Sequence, residues 1–230
     1  EKTGFTGVFR PGASGTGQSY PGSCGDAPGS TYCDPVIRHN GRFVPTKGFC
    51  TDVFFARAAS WIESRKDKGP FFAYITPNAP HAPYHAPESY RARFEGRVPK
   101  KVEGFYGMIE NIDDNIGRFR AKLAELGVER DTLFIFMTDN GSAAGSPVFN
   151  AGMHGAKGSP WNGGTRVPLF LHWPGVFQPA DCDRLAAHID LFPTLAALAG
   201  AEVPAATAAG FDGRSLVPLL ANPAAPWAER

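Results

Sequence analysis

The stretch FIFMTDNG, residues 134–141, ends a short apolar run on a carboxylate and an amide, Asp139 and Asn140. Asn-Gly is a strong turn signal, which fits one arm of a hairpin. The continuation SAAGSPVFNAG shows no alternating second strand, so a wide connection after a buried strand fits better. Such loops at the carboxyl ends of sheet strands present side chains to ligands, and Asp and Asn oxygens suit a hard cation. The local sequence therefore raises a calcium or magnesium site as a hypothesis.

Two further loops carry side chains that could take part in chemistry. The segment NAPHAPYHAP contains His81 and His85, and GMHGAKGSPWNGGTRVP contains His154 and Lys157. An imidazole exchanges protons near neutral pH, and an ammonium can hold an anion. Taken separately, each loop is ordinary, because a His between prolines or a Lys among glycines is usually a solvated or hydrogen-bonded loop residue. Their positions beside predicted strands make them candidates.

Hydrophobic periodicity predicts the elements that position these loops. A helix is expected from Thr51, with Thr51 or Asp52 as its cap, and a buried strand is expected over 70–78. Apolar residues spaced by three and four predict a long helix that ends near Gly127, and its apolar stripe consists of Phe105, Ile109, Ile112, Ile116, Phe119, Leu123 and Leu126.

The rest of the chain alternates strands with helices. A strand is expected over 132–138, another apolar run covers 167–175, and DLFPTLAALAG predicts a short helix stopped by Gly200. This alternation predicts an α/β fold whose sheet is covered on both faces. Residues 1–50 show no sustained period and are expected to be extended loop. Their piece GASGTGQS fits neither the dinucleotide fingerprint nor the Walker pattern.

Composition excludes several classes of function. The chain has 230 residues, of which 43% are hydrophobic and 20% charged, as in ordinary globular proteins. A net charge of +1 gives no global attraction to nucleic acid or an anionic membrane. No apolar run reaches the roughly 18 residues of a membrane span. The basic stretch Arg91 to Lys101 is expected to be solvated surface that could touch an anionic substrate. Asp113 and Asp114 are expected to be surface charges of the long helix.

The four cysteines, Cys24, Cys33, Cys50 and Cys182, lack the paired close spacing of a zinc site. Two disulfides in three possible connectivities and four buried or inert thiols are both compatible with this spacing. We favour thiols.

The three loops, in this order, resemble the sulfatase family of the alkaline-phosphatase-like superfamily. FFAYITPNAPHAPYHAP is similar to the family's strand with a catalytic-site His, LFIFMTDNG to its strand with two metal ligands, and GAKGSPWNGGTRVPLFLHWPG to its loop with a sulfate-binding Lys. AHIDLFPTLAALAG and FDGRSLVPLL are similar to the segments that follow. The resemblance begins near Gly48 and covers nearly all of the chain after it. It implies an α/β three-layer sandwich, with a mostly parallel sheet and helices on both faces.

The resemblance also implies a function, that of a sulfuric ester hydrolase. Asp139 and Asn140 would bind Ca²⁺, or Mg²⁺ in its place. His81 would contact the sulfate ester and help to protonate the leaving oxygen, and Lys157 would hold a sulfate oxygen. These separate roles suit the hydrolysis of a sulfate ester, because a tetrahedral anion needs positive charge around its oxygens and a leaving alkoxide needs a proton.

Three positions in these loops depart from the family pattern or lie outside it. His154 stands where the family usually carries Arg and is a candidate substrate contact. His85 is not required by the pattern and is a candidate at the substrate rim. Asn162 replaces the usual acidic residue before Gly-Gly, which puts the internal hydrogen bonding of that loop in question.

The family's nucleophile has no counterpart in this sequence. Sulfatases use a Cys or Ser of a Cys-x-Pro-Ser-Arg type motif, which is oxidised to formylglycine. The nearest string, CDPVIR, has Val-Ile in place of Ser and is interpreted as coincidence. The family's early Asp-Asp metal pair and Lys-Trp-His segment are also missing. We therefore expect the N-terminal part of the catalytic domain upstream, with 1–50 a loop-rich segment and 51–230 the central and downstream part. The 230-residue chain alone is expected to be inactive.

Two rival functions remain open. A phosphatase, phosphodiesterase or phosphonate hydrolase of the same superfamily would share the sheet, although Asp139 and Asn140 favour a one-cation site over a His-rich two-zinc site. A non-catalytic binding module would tolerate loss of the nucleophile. The expected partner is a small-molecule or carbohydrate sulfate ester, with its identity and the oligomeric state left open. Because most relatives are exported, a periplasmic or extracellular location is expected.

Overall fold

The computed structural model describes residues 3–4, 31–40 and 42–229. Five strands are present in these ranges. The first three form an antiparallel sheet in the order β1-β2-β3, and the other two form a separate two-stranded sheet. Their bounds are β1 Thr3–Gly4, β2 Val36–His39, β3 Arg42–Pro45, β4 Phe134–Met137 and β5 Leu169–His172.

The hairpin of β2 and β3 corrects the expectation that residues 1–50 are loop throughout. The two strands are antiparallel, and His39 is the register partner of Arg42. Asn40 has a φ of 48°, the left-handed conformation that a tight turn uses and that Asn tolerates. The Asn-Gly pair at 40–41 is thus a hairpin signal. GASGTGQS lies outside the described residues.

Seven α-helices follow in the described chain. Their bounds are α1 Cys50–Glu63, α2 Glu88–Arg91, α3 Glu103–Glu125, α4 Asn162–Thr165, α5 Leu191–Leu198, α6 Ala205–Ala208 and α7 Val217–Ala221. Short 3₁₀ turns lie at Ala92–Phe94, Lys100–Val102, Glu129–Asp131 and His188–Asp190. The predicted helix after position 50, the long helix and the short helix near 190–200 are confirmed.

The start of α1 differs from its predicted capping. Phe49 occupies the N-cap position without a side-chain cap, and Thr51 lies inside the helix and is fully buried. The reason is a strand-like contact that precedes the helix, in which Cys50 N donates to Tyr32 O over 2.8 Å. That bond satisfies one of the free N–H groups of the first turn. Neither Thr51 nor Asp52 is therefore needed as a cap.

A polar network and an aromatic contact join α1 to α3. Asp52 Oδ1 accepts hydrogen bonds from the buried amides of Asn111 and Asn115 over 3.0 and 2.7 Å. Nearby, the Phe55 and Phe119 rings pack edge to face at 5.6 Å between their centroids. Because both amides find an acceptor, the interface buries them without unpaired donors.

The long helix α3 ends as its sequence predicts. Gly127 takes a φ of 73°, and Val128 N donates to Leu123 O over 3.0 Å, which closes the last turn. Asp113 is exposed, as expected of a surface charge. Asp114 is half-buried and accepts a hydrogen bond from Tyr90 over 2.9 Å.

The basic stretch from Arg91 to Lys101 is partly used within the fold. Arg91 forms ion pairs with Glu88 and with the buried Glu103, each at 2.7 Å. Arg93 pairs with Glu110 at 2.7 Å. These two guanidinium groups hold the segment around α2 against α3, whereas Lys100 and Lys101 stay exposed.

The prediction of a buried strand over 70–78 is wrong for the described residues. This segment has no strand assignment, and Phe72 and Tyr74 are 72% and 82% exposed. A strand needs a neighbour that pairs with its backbone, and none of the described residues pairs with 70–78. Phe71 does pack on α1, with its ring 6.3 Å from that of Trp61.

The predicted strands at 132–138 and 167–175 are confirmed as β4 and β5. Phe136 and Phe170 lie on the two strands with their ring centroids 6.2 Å apart. The structure places the Asp139 loop directly after β4 and the Lys157 loop before β5.

The chain divides into two compact units. The first comprises residues 1–130 and 135–171, and the second comprises 131–134 and 172–230. All six predicted site residues belong to the first unit.

In the second unit, the buried Asp190 joins the two segments AHIDLFPTLAALAG and FDGRSLVPLL. Its two carboxylate oxygens accept hydrogen bonds from Ala187 N and Arg214 N, each over 2.8 Å. Thr194, also buried, donates to Asp190 O over 2.5 Å and accepts from Leu216 N over 2.8 Å. These bonds tie the start of α5 to the segment that leads into α7.

Three of the four cysteines lie in the described residues, and all three are free thiols. Cys33 and Cys182 are exposed and Cys50 is buried, while Cys24 lies outside the described residues. Burial raises the pKa of the Cys50 thiol to about 12. Among the described residues, no helix has the length and apolarity to cross a membrane.

Candidate active site

Asp139 and Asn140 lie where β4 ends. Asp139 is exposed, and within the described residues its carboxylate forms no ion pair or hydrogen bond. The amide nitrogen of the half-buried Asn140 donates to Gly141 O over 3.2 Å. Thr138 Oγ1 donates to Asn140 O over 3.3 Å, which tightens the turn. The strand end thus presents an accessible carboxylate next to an amide with a fixed nitrogen.

The strand end contacts the Lys157 loop directly. Gly141 N donates to Gly164 O over 3.0 Å, and Lys157 N donates to Ser142 O over 3.3 Å. The approach is so close that a Cβ atom on Gly141 would lie 1.9 Å from Gly163 O. Only glycine at position 141 leaves room for this contact.

Lys157 is exposed on this loop. Within the described part of the chain, its ammonium forms no ion pair or side-chain hydrogen bond. An unpaired ammonium that is anchored through its own backbone can hold an anion without first breaking an internal contact.

The loop that carries Lys157 is closed by its own hydrogen bonds. The Asn150 amide donates to Met153 O over 2.7 Å and to Gly155 O over 2.8 Å. Gly163 N donates to His154 O over 2.8 Å. The loop therefore has a defined internal frame although Asn162 stands where an acidic residue was expected.

His81 lies on a loop that is fixed by the aromatic core. The hydroxyl of the buried Tyr32 donates to His81 O over 2.6 Å. Burial raises the pKa of Tyr32 above its ordinary value, so the phenol stays protonated and keeps donating. His85 is exposed, and its ring meets the edge of Tyr32 at 6.5 Å between centroids.

The imidazole of His81 has one nitrogen committed to the backbone. Nδ1 lies 2.8 Å from Ala82 O. A carbonyl oxygen can only accept, so Nδ1 carries the proton of this bond. Nε2 is then left for chemistry, and the ring is exposed to solvent.

The His81 loop and the chain after Asp139 share a support on α3. The Phe105 ring packs edge to face against Tyr84 at 5.7 Å between centroids. Phe105 also lies close to Gly145 in the chain after Asp139, because a Cβ atom on Gly145 would lie 2.9 Å from Phe105 Cε1. Phe105 therefore touches both loops, although His81 makes no hydrogen bond to Asp139, Asn140 or Lys157 within the described residues.

The donor set at the end of β4 fits a hard cation in part. The Asp139 carboxylate and the Asn140 amide oxygen are of the type that Ca²⁺ prefers, among six to eight oxygens in all. Within the described residues, no cluster of three or more His, Cys, Asp or Glu side chains could hold a metal ion by itself. These two residues can thus supply part of a coordination shell.

The structure therefore joins the predicted residues in two groups. Asp139, Asn140 and Lys157 lie on segments in direct backbone contact, and His154 lies on the same loop as Lys157. His81 and His85 share a second loop. Convergence of both groups on one substrate stays a prediction.

Two residues near these loops were not singled out from the sequence. Tyr32 supports His81, and Trp161 packs its ring against His154 at 4.8 Å between centroids. Tyr32 falls in a segment without periodicity, so its distant contact has no local sequence signal. Trp161 could have been noticed as an aromatic residue within the Gly-rich loop.

The sulfatase family profile matches residues 4–201. The chain belongs to the sulfatase family. It is 31% identical over 193 residues to the uncharacterized sulfatase YdeN of Escherichia coli (strain K12), covering 82% of this chain and 34% of that protein. It is 35% identical over 162 residues to arylsulfatase A of Homo sapiens, covering 69% of this chain and 30% of that protein.

A solved structure is similar in fold to this chain. The crystal structure of Ps i-CgsB in complex with k-i-k-neocarrahexaose superposes with a TM-score of 0.75 at 32% identity, covering 82% of this chain and 42% of that one. The chain thus spans about a third of the length of the two sequence relatives.

Proposed function

We propose that the whole protein is a sulfuric ester hydrolase and that this chain supplies its metal-binding strand end, its sulfate-holding lysine and its proton donor. The observation that carries the proposal is the direct backbone contact between the Asp139 strand end and the Lys157 loop. A carboxylate and an ammonium, both without partners among the described residues, are thereby held on adjoining segments. This pairing suits a site that takes a divalent cation and the anionic sulfate group of an ester together.

Each group has a separate task in this proposal. Asp139 and Asn140 provide carboxylate and amide oxygens to Ca²⁺, with Mg²⁺ as the second choice. The cation, when bound, withdraws charge from the sulfate oxygens. Lys157 holds a sulfate oxygen and offsets the negative charge that grows as the ester bond breaks.

His81 supplies the leaving oxygen with a proton. Its Nδ1–H donates to Ala82 O, so the ring orientation is fixed and Nε2 is the nitrogen that can hold and deliver a proton. The donor must be protonated at the start of the step and regains its proton from water afterwards. Tyr32 keeps the backbone of His81 in place.

The nucleophile belongs to another part of the whole protein in this proposal. No Cys-x-Pro-Ser-Arg type motif occurs in the 230 residues, so a formylglycine would come from outside them. The proposed complete fold is a three-layer sandwich, in which 1–50 and 51–230 belong to one catalytic domain. By analogy with exported relatives, we propose a periplasmic or extracellular location.

The substrate is a sulfate monoester, and an ester on a carbohydrate is preferred. Ps i-CgsB, with 32% identity, was solved with an oligosaccharide. A small aryl ester remains a useful probe because it requires little beyond the sulfate contacts.

The proposal is tested with the whole protein and a chromogenic aryl sulfate. Lys157→Ala is expected to lower kcat/KM by about 10²- to 10³-fold, as loss of one preorganised charge contact typically does. Lys68→Ala removes an exposed lysine that follows α1 in the same unit, and Asp113→Ala removes an exposed helix charge. Both controls are expected to keep the activity of the unmodified protein.

Two results would contradict the proposal. Equal losses in Lys157→Ala and its controls would indicate damaged folding. Faster turnover of the matching aryl phosphate than of the sulfate would instead support a phosphatase of the same superfamily.

A further inference from the structure

The loop between Asn150 and Arg166 is held in a fixed shape by its own hydrogen bonds. In addition to the bonds from Asn150, Ser159 Oγ donates to Ala156 O over 2.8 Å and accepts from Ala156 N over 3.1 Å. At the base of the loop, Gly164 N donates to Trp161 O over 2.7 Å. A binding surface built on such a frame loses little conformational freedom when a ligand arrives.

Trp161 is the large aromatic residue of this loop, and its side chain is 57% exposed. Its orientation is nevertheless fixed from two sides. The His154 ring meets it at 74° and 4.8 Å between centroids. On the backbone side, a Cβ atom on Gly155 would lie 2.7 Å from Trp161 Cβ and 3.2 Å from Cδ1. Gly155 has a φ of 82°, so glycine is needed there both for conformation and for space.

The polar groups of Trp161 and His154 belong to exposed residues. Within the described residues, neither the indole N–H of Trp161 nor the imidazole of His154 forms a hydrogen bond to another protein group. Lys157 lies four positions before Trp161 in the same loop, with its ammonium likewise unpaired. A fixed aromatic face, two hydrogen-bonding rings and a cation are thus displayed by a single loop.

This combination matches the surface of a sulfated sugar. A pyranose ring offers C–H groups on one face, which pack on an aromatic face, and hydroxyls at its rim, which need donors and acceptors. Its sulfate group needs a cation. A purely apolar ligand would give no hydrogen-bond partner to the indole N–H or the imidazole and no anion to the Lys157 ammonium.

We propose that Trp161 and His154 form a sugar subsite, in which the indole stacks on the ring that bears the sulfate ester and His154 bonds to a neighbouring hydroxyl. The proposal rests on the proposed function, because it takes Lys157 as the contact to the sulfate group. It assigns a carbohydrate sulfate as the substrate class. It also gives His154 a role that an arginine at that position would fill through charge.

The experiment measures binding of the whole protein to an array of sulfated oligosaccharides that includes k-i-k-neocarrahexaose, each beside its unsulfated form. Trp161→Ala is expected to weaken binding to the preferred sulfated sugar by about tenfold. Trp161→Phe keeps an aromatic face and is expected to restore most of the affinity. Gly155→Ala, which displaces the indole, is expected to resemble Trp161→Ala.

The matched control is Phe149→Ala, which removes an aromatic side chain that is 76% exposed in the preceding segment. It is expected to leave sugar affinity unchanged. Thermal melting of every variant establishes that the fold is intact. Equal losses in Phe149→Ala and Trp161→Ala, or no loss in Trp161→Ala, would overturn the subsite.

Inhibition by inorganic sulfate distinguishes a failure of the sugar subsite from a failure of the proposed function. Competitive inhibition of aryl sulfate hydrolysis by inorganic sulfate reports the Lys157 contact and is expected to weaken in Lys157→Ala. If that inhibition is present while no sulfated oligosaccharide binds, the sugar subsite is wrong and the proposed function stands. If neither aryl sulfate turnover nor sulfate inhibition occurs, the proposed function fails, and the subsite fails with it.

Discussion

The hydroxyl of Tyr32 donates to the backbone carbonyl of His81 over 2.6 Å, across 49 positions of the sequence. Tyr32 is 1% exposed and stacks on Phe49, so the bond fixes the His81 loop to the buried core of the first unit. A buried residue distant in sequence thereby fixes the backbone that carries the His81 imidazole.

Tyr32→Phe removes this hydroxyl and keeps the ring. We expect the free energy of unfolding to fall by about 1–2 kcal/mol, because the partly buried carbonyl of His81 loses its donor. In the whole protein, we expect kcat for a sulfate ester to fall several-fold with little change in KM, since the proposed proton delivery depends on the position of His81. Urea unfolding and steady-state kinetics measure the two effects.

Tyr90→Phe is the matched control for this change. It removes a tyrosine hydroxyl that donates to Asp114 over 2.9 Å, away from the predicted site residues. A similar loss of stability with unchanged kcat is expected. If kcat fell equally in both variants, Tyr32 would have only a structural role.

The close approach of Gly141 to Gly163 leads to a second prediction. Gly141→Ala would place Cβ 1.9 Å from a backbone oxygen, so one of the two segments must move. We expect a loss of about 1–3 kcal/mol in the free energy of unfolding, as for other overpacked sites. The displaced Lys157 loop should also weaken inhibition by inorganic sulfate in the whole protein.

Gly117→Ala is the matched control for Gly141→Ala and is expected to raise the free energy of unfolding. Gly117 lies inside α3 with no atom within 4 Å of an added Cβ. Because glycine is unfavourable in a helix interior, alanine should stabilise the fold by about 0.5–1 kcal/mol. Urea midpoints for the two variants should move in opposite directions, and a midpoint for Gly141→Ala that does not fall would contradict the close contact at Gly141.

Much of the scaffold could be predicted from the sequence because its signals are local. The stripe from Phe105 to Leu126 places α3, and short apolar runs place β4 and β5. The segment 70–78 carries the same kind of run, yet it has no pairing partner among the described residues. A strand depends on its neighbour as well as on its own residues, so composition alone could not decide this case.

The sequence proposes the residues of the candidate site, but it does not reveal the contacts between the segments that carry them. Asp139, Lys157 and His81 follow from motifs, whereas the Gly141–Gly164 bond and the Tyr32–His81 bond join distant positions. No periodicity encodes such contacts, because they depend on how separate loops pack. Trp161 owes its fixed orientation to the left-handed backbone of Gly155, which a sequence motif does not describe.

The described cysteines should differ sharply in reactivity. Cys33 and Cys182 are exposed, whereas Cys50 has 0% exposure and a pKa raised to about 12 by burial. Only the thiolate reacts, so Cys50 should resist a maleimide reagent at pH 8 while the other two are labelled. Mass spectrometry of peptides after labelling, with and without urea, measures this. Labelling of Cys50 in the native protein at the rate of Cys33 would contradict its burial.

The same burial predicts a dependence of stability on pH. The thiol's pKa is higher in the folded chain than in the unfolded chain, where it is about 8.5. Between these values, the folded state holds the proton and the unfolded state releases it, so Cys50 should lower stability as the pH rises from about 8.5 towards 12. Cys50→Ala should reduce this slope, and an unchanged slope would contradict the assignment to Cys50.

The 230-residue chain, produced alone, is expected to bind Ca²⁺ weakly and to hydrolyse no sulfate ester. It would contribute the two proposed ligands, Asp139 and Asn140, to a cation that takes six to eight oxygens, so water would have to fill most of the shell. The sequence also contains no Cys-x-Pro-Ser-Arg type motif to provide a nucleophile. Calorimetric titration with Ca²⁺ and a chromogenic aryl sulfate assay measure the two properties, with Asp139→Asn as the control for binding. Steady hydrolysis that Lys157→Ala abolishes would contradict this expectation, because it would require a nucleophile within these residues.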